Sequence, residues 1–148
     1  METLVDILGA ARHREALIAD MVALIEAQVA ARGGLKGAGL RAMLGMAKAA
    51  RPDLLPRAAA RLLPEFAGAL EPLYARYRDE QTVGDFGQFL QRQAPAATAA
   101  LLAVADARAA EVKNAAARSA YSRLRGSAED EVRGAIPAIG ILLNRYLQ

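Results

Sequence analysis

Residues 54–77 read LLPRAAARLLPEFAGALEPLYARY, and this stretch decides the fold. Phe66, Leu70, Leu73, Tyr74 and Tyr77 recur at three- and four-residue intervals, which places them on one face of an α-helix. An octad rhythm runs through the same stretch: Leu54-Leu55-Pro56, Leu62-Leu63-Pro64, Leu70-Glu71-Pro72. It is too short for a solenoid, whose units span about 20–50 residues. Proline has no N–H to donate, so the rhythm predicts a helix interrupted about every two turns. Pro64-Glu65 suits the first turn of a fresh helix.

Helical spacing continues on the N-terminal side. Leu4, Ile7, Leu8 and Ala11 predict a short helix ending near Gly9, and a second is expected from His13 to Ala31, stopped by Gly33-Gly34. A third, from Lys36 to Ala50, has an apolar stripe of Leu40, Met43, Leu44 and Ala47. Its other face, Ala38, Ala42, Gly45 and Ala49, is smooth enough for a neighbouring helix to approach closely. That helix must end before Pro52.

On the C-terminal side, residues 81–84 read as a loop and Asp85 as the N-cap of a short helix with Phe86, Phe89 and Leu90. Pro95 opens another, with Ala97, Leu101, Val104, Ala105, Arg108 and Val112 on one face and a break at Asn114. Ala117, Ala120, Tyr121 and Leu124 continue as a further helix that Gly126-Ser127 ends. Ser127 with Asp130 predicts a capping box for the last, which Pro137 is expected to kink. The expectation is all-α: one domain over residues 1–148, built from about seven short-to-medium helices, several broken or kinked by proline.

Composition agrees. The 148 residues include 36 alanines, 20 leucines and 16 arginines, but only 16 Val, Ile and Thr, too few for a sizeable sheet. With no cysteine and His13 the sole histidine, thiolate metal sites, cysteine nucleophiles and two-histidine zinc helices are impossible in one chain. No cofactor motif is present. The start carries no basic, apolar export signal, and the longest uncharged run, 13 residues from Gln93 to Ala105, is short of a membrane span, so a cytoplasmic setting is expected. Formal charge is +3, but in blocks: −3 over 1–31, +6 over 32–61, −3 over 62–91, +4 over 92–128 and −1 over 129–148. Such blocks pair with one another in a bundle, or leave a basic face for an anionic partner.

Three stretches together, EAQVAARGGLKGAGLR (26–41), RLLPEFAGALEPLY (61–74) and DARAAEVKNAAARSAYSRLR (106–125), resemble a family of small all-helical bacterial proteins of unknown function. The resemblance implies the fold class and brings no activity with it.

Gly37-Ala38-Gly39-Leu40-Arg41-Ala42 has the form G-x-G-x-x-A, but a helix rather than a strand precedes it, so it reads as a glycine-rich helix entry. Free N–H groups there, with Lys36 beside them, are an anion-contact candidate. Lys48, Arg51, Arg57 and Arg61 extend the candidate set around Pro52. They have no interleaved aromatics of the kind nucleic-acid binding uses. Residues 95–112 and 114–125 can be drawn as a helix-turn-helix, as can any two short helices. Met43, Met46, Phe66, Phe86 and Phe89 could line an apolar pocket, though such residues more often form core. His13, between Arg12 and Arg14, reads as a surface residue. Arg108 falls in the middle of an apolar stripe, so it should form a structural ion pair; Glu26 is the expected partner and Glu15 the second choice. The function expected is that of a non-enzymatic helical domain acting through protein contacts or self-association. The alternatives are a polyanion- or nucleic-acid-binding module and an apolar-ligand (lipid) binding domain.

Overall fold

The computed structural model describes residues 3–31, 34–80 and 84–147. The side chains of Leu35, Lys36, Leu40, Met43, Ala117, Ala120 and Leu124 lie outside that description, and so does the expected anion contact at Lys36. Among the described residues there are seven α-helices and no strand: α1 (Leu4–Leu8), α2 (Ala11–Ala31), α3 (Gly34–Ala50), α4 (Leu54–Glu80), α5 (Phe86–Arg92), α6 (Ala94–Ala110) and α7 (Ala115–Asn144).

The proline-rich stretch is one helix. Pro64 and Pro72 lie inside α4, which runs unbroken for 27 residues, so the expected interruptions do not occur. Each proline leaves one carbonyl, that of Ala60 or Gly68, without its helical donor. Both prolines are exposed, and a solvent-facing carbonyl finds its partner in water. Leu55, Ala59, Leu63, Ala67, Leu70 and Tyr74 form the opposite, buried stripe, whose packing outweighs the propensity cost of about 3 kcal/mol per proline. Pro137 is likewise exposed inside α7. That 30-residue helix also passes through Gly126-Ser127, where an end was expected. Helix α7 therefore has no start at Ser127 to cap, and Asp130 instead lies 3.6 Å from Arg133.

Two helix starts carry reciprocal caps. Thr3 Oγ1 accepts from Asp6 N–H while Asp6 accepts from Thr3 N–H, and Asp85, the expected N-cap of α5, forms the same reciprocal pair with Gln88. Glu71 on α4 accepts the Leu4 N–H at 2.6 Å, tying α1 to the middle of α4. Gly34, at φ +74°, adopts the left-handed backbone conformation that only glycine enters without strain, where the chain turns into α3.

Helix α4 packs against α1, α2, α3, α5 and α6, while α7 closes the far side against α2, α5 and α6. The core between them holds Leu4, Leu8, Leu17, Leu63, Leu70, Phe89, Leu90, Ile136 and Leu143. Tyr74, Tyr77, Phe86 and Phe89 form an aromatic cluster at the α4–α5 contact, with Tyr74 and Phe86 edge to face at 5.1 Å. Phe86 and Phe89 are therefore core rather than pocket lining, and Met46 is 74% exposed.

Close helix packing occurs, but at another place than expected. The face Ala38, Ala42, Gly45 and Ala49 of α3 is exposed, and a Cβ on Gly45 would meet nothing within 4 Å. The close crossing is α5 on α7, where a Cβ on Gly87 would lie 2.8 Å from the Gly140 carbonyl oxygen and one on Gly140 would lie 2.8 Å from Gly87 Cα. Asn144 Oδ1 accepts the Gly87 N–H at 3.0 Å beside this contact. Gly140→Ala should therefore cost about 1–3 kcal/mol through overpacking. Gly45→Ala should stabilise by up to ~1 kcal/mol through helix propensity. Urea unfolding of the two variants checks this; equal midpoints would contradict the packing described.

Candidate binding groove

The first turn of α2, the turn at 51–53, the start of α4 and the end of α6 enclose an open groove of about 760 Å³. Arg14, Arg51, Arg57, Arg61 and Arg108 line it, against the carboxylates of Asp53 and Glu111. Local structure sets these positions. Arg51 N–H closes the last turn of α3 on Ala47 O at 2.9 Å, and Arg51 O accepts from Leu54 N–H at 3.0 Å, so the basic turn is held at both ends. Arg57 and Arg61 follow one turn apart on α4. The N-terminal ends of α2 and α4 add partial positive charge, and Arg108 sits in the last turn of α6, where the negative end of the helix dipole favours a cation.

The arginines differ in their partners. Arg57 lies 3.5 Å from Asp53, both largely exposed, a pair of little energetic weight. Arg108 donates from Nε to Glu65 at 2.6 Å and lies 3.5 Å from Glu111, and the hydrogen bond to Glu65 raises its pKa. Arg14, Arg51 and Arg61 have no acidic partner among the described residues.

Beyond Arg108 the groove continues as an apolar space of about 300 Å³ lined by Leu62, Phe66, Ala105, Ala109, Val112 and Tyr121, with Arg118 at its edge. Its α7 wall is held by Asp106 on α6, which accepts from Tyr121 Oη at 2.7 Å and from Arg125 Nε at 2.9 Å. These bonds lower the Asp106 pKa, Tyr121's first and Arg125's second. Burial, then the bond to Asp106, pushes Tyr121 up to about 12. The C-terminus repeats the device: Tyr146 donates to Asp20 at 2.5 Å, and burial followed by this bond pushes it up to about 12. His13 is half-buried, stacked edge-on against Tyr146 at 5.2 Å, and accepts from Arg12 Nε at 3.3 Å, so it is less exposed than expected.

Of the candidate anion contacts, the structure brings Arg51, Arg57 and Arg61 together and removes Lys48, which pairs with Glu26 across α2 and α3. The expected Arg108–Glu26 pair is corrected by the same contact. Helix α6 packs on α4, α5 and α7 and does not touch α2, so Glu65 of α4 is the acid within reach of Arg108. Residues 114–125 are the first part of α7 rather than a short recognition helix. Sequence reasoning overlooked Arg14 as a groove residue; the trace it leaves is a charge interrupting the apolar stripe of the first two helices.

The fold and the site together make this an all-α bundle with an arginine-lined groove. A model of the family of unknown function DUF6918 matches residues 4–147, and the chain belongs to that family. Neither a curated protein nor a solved structure matches it.

Two predictions follow from these contacts. Arg108 and Glu65 are both in contact with solvent, so a double-mutant cycle between them should give weak but measurable coupling, and the cycle with Glu26 should give none. Coupling to Glu26 would contradict the pairing. The tyrosines set an alkaline limit. With folded pKa values of about 12 against an ordinary 10.0, their contribution is complete below pH 10 and is lost as pH rises towards 12. Asp106, lowered from 3.8, contributes above that pH and loses its contribution on acidification through its folded value. Unfolding midpoints across pH should fall at both ends, and Tyr121→Phe should shrink the alkaline fall.

Proposed function

We propose that the chain is a non-enzymatic binding module whose groove holds an anionic partner, a protein rather than a small substrate. The observation that carries this reading is the set Arg14, Arg51 and Arg61, which border one groove without acidic partners among the described residues. Guanidinium groups stay protonated at any physiological pH, so the dominant groups of this groove bind charge and do not shuttle protons. The two carboxylates present, Asp53 and Glu111, are engaged with Arg57 and Arg108. Among the described residues no helix is long and apolar enough to cross a membrane. A chain without cysteine gains nothing from an oxidising compartment, which supports a cytoplasmic setting.

The test is fluorescence anisotropy of labelled polyglutamate over a salt series. Wild-type protein should bind, with affinity falling steadily as salt rises. The double variant Arg51→Glu, Arg61→Glu should bind at least about tenfold more weakly, a change of about 1.4 kcal/mol. Absence of binding at low salt, or equal binding by the charge-reversed variant, would overturn the reading.

A further inference from the structure

The basic and apolar halves of the groove are one surface, because Leu62, Arg108 and Val112 line both. Helix α4 shows how they are joined. Arg57 and Arg61 stand one turn apart in one row, and Ala58, Leu62 and Phe66 stand one turn apart in the row beside it. Charge and apolar surface therefore run side by side along the same helix instead of lying at opposite ends of it.

Resting on the anionic reading above, we propose that this groove takes an acidic amphipathic segment of another protein, laid along α4. Its carboxylates meet the unpartnered Arg51 and Arg61, and an aliphatic or aromatic anchor fills the space between Phe66 and Val112. Arg118, at the far edge of the apolar half, has no acidic partner among the described residues and accommodates a further acid beyond the anchor. The recognised pattern is acid, apolar anchor, acid at helical spacing.

Three observations select this occupant. The guanidinium fork takes a carboxylate through two parallel hydrogen bonds, so unpartnered arginines complement acidic side chains in charge and in shape. Val112 is 38% exposed and Phe66 is only partly buried, which leaves apolar surface in water for an anchor to cover. Third, the groove is open along its length. A small amphiphile would remain largely wet there, whereas a helix buries one face and keeps the other in solvent. A polynucleotide fits less well. Asp53 and Glu111 stand among the arginines and repel a continuous phosphate run, and the aromatic rings lie in the apolar half, away from the unpartnered arginines.

The experiment uses the full chain and two fluorescein-labelled synthetic peptides. One alternates glutamates with leucines at helical spacing, and the other has every leucine replaced by serine. Binding is read by anisotropy, and the binding site from methyl NMR resonances of Leu62 and Val112. The leucine peptide should bind at least about tenfold tighter than the serine peptide. It alone should shift both methyl resonances, and Val112→Ser, outside any helix, should narrow the difference several-fold while helix content stays unchanged. Equal affinity for the two peptides would overturn the amphipathic proposal and leave the anionic reading standing; no binding of either would remove both. Tighter binding of duplex DNA or of phosphatidylglycerol vesicles than of the leucine peptide would overturn the protein-segment occupant. So would leucine-dependent shifts that bypass Leu62 and Val112.

Discussion

The structure depends on α4 staying helical through Pro64 and Pro72. Each proline frees one carbonyl, and in an apolar interior an unpaired carbonyl is expensive, so the prolines can stand only on the solvent side. That requirement sets the phase of the helix. With Pro64 and Pro72 outward, Leu63, Ala67, Leu70 and Tyr74 must point inward to the core, and five neighbouring helices pack on α4. The remaining flank of the helix, carrying Arg57, Arg61, Leu62 and Phe66, is then left as a wall of the groove. Core and groove are consequences of one constraint.

Charges divide along the same line. Where acids and bases are brought close by packing they pair, as Lys48 does with Glu26 and Arg125 with Asp106. Exposed pairs of this kind add little stability, so their role is to orient side chains more than to hold the bundle together. The positive block over 32–61 finds only part of its complement in the negative blocks that flank it, and the surplus collects at the turn between α3 and α4. A modest net charge of +3 therefore conceals a locally strong positive field.

Much of the fold was legible in the sequence. Helical spacing located nearly every element, the Asp85 cap formed as read, and Asn114 separates α6 from α7. Local signals failed where tertiary packing overrode them. Proline at 64 and glycine at 126 both favour an end, yet neither ends its helix; at Pro64 the buried stripe of Leu63, Ala67 and Leu70 continues past the proline, and its burial outweighs the local cost. The glycine contact was misplaced for a similar reason. Gly45 and Gly140 look alike in one dimension, and only the crossing of α5 over α7 makes the second indispensable. At the groove, Arg51, Arg57 and Arg61 were visible as a run, whereas Arg14 and Arg108 join them only through the packing of α2 and α6 on α4, which no short-range pattern encodes.

The two walls of the groove are held in different ways. The α4 wall is backed by the core through Leu63, Ala67 and Leu70, and it moves only if the bundle opens. The facing wall, made by the end of α6 and the start of α7, is mostly exposed. Among the described residues, Arg108 ties it to α4 through Glu65, and Asp106 joins its α6 part to Tyr121 and Arg125 of its α7 part. Local opening free energy follows buried apolar contact, so the second wall is the one that yields. Arg108–Glu65 is the tie that crosses from this wall to α4, whereas the Asp106 contacts fasten its α6 and α7 parts to each other, so the first fixes where the wall stands and the second keeps it in one piece.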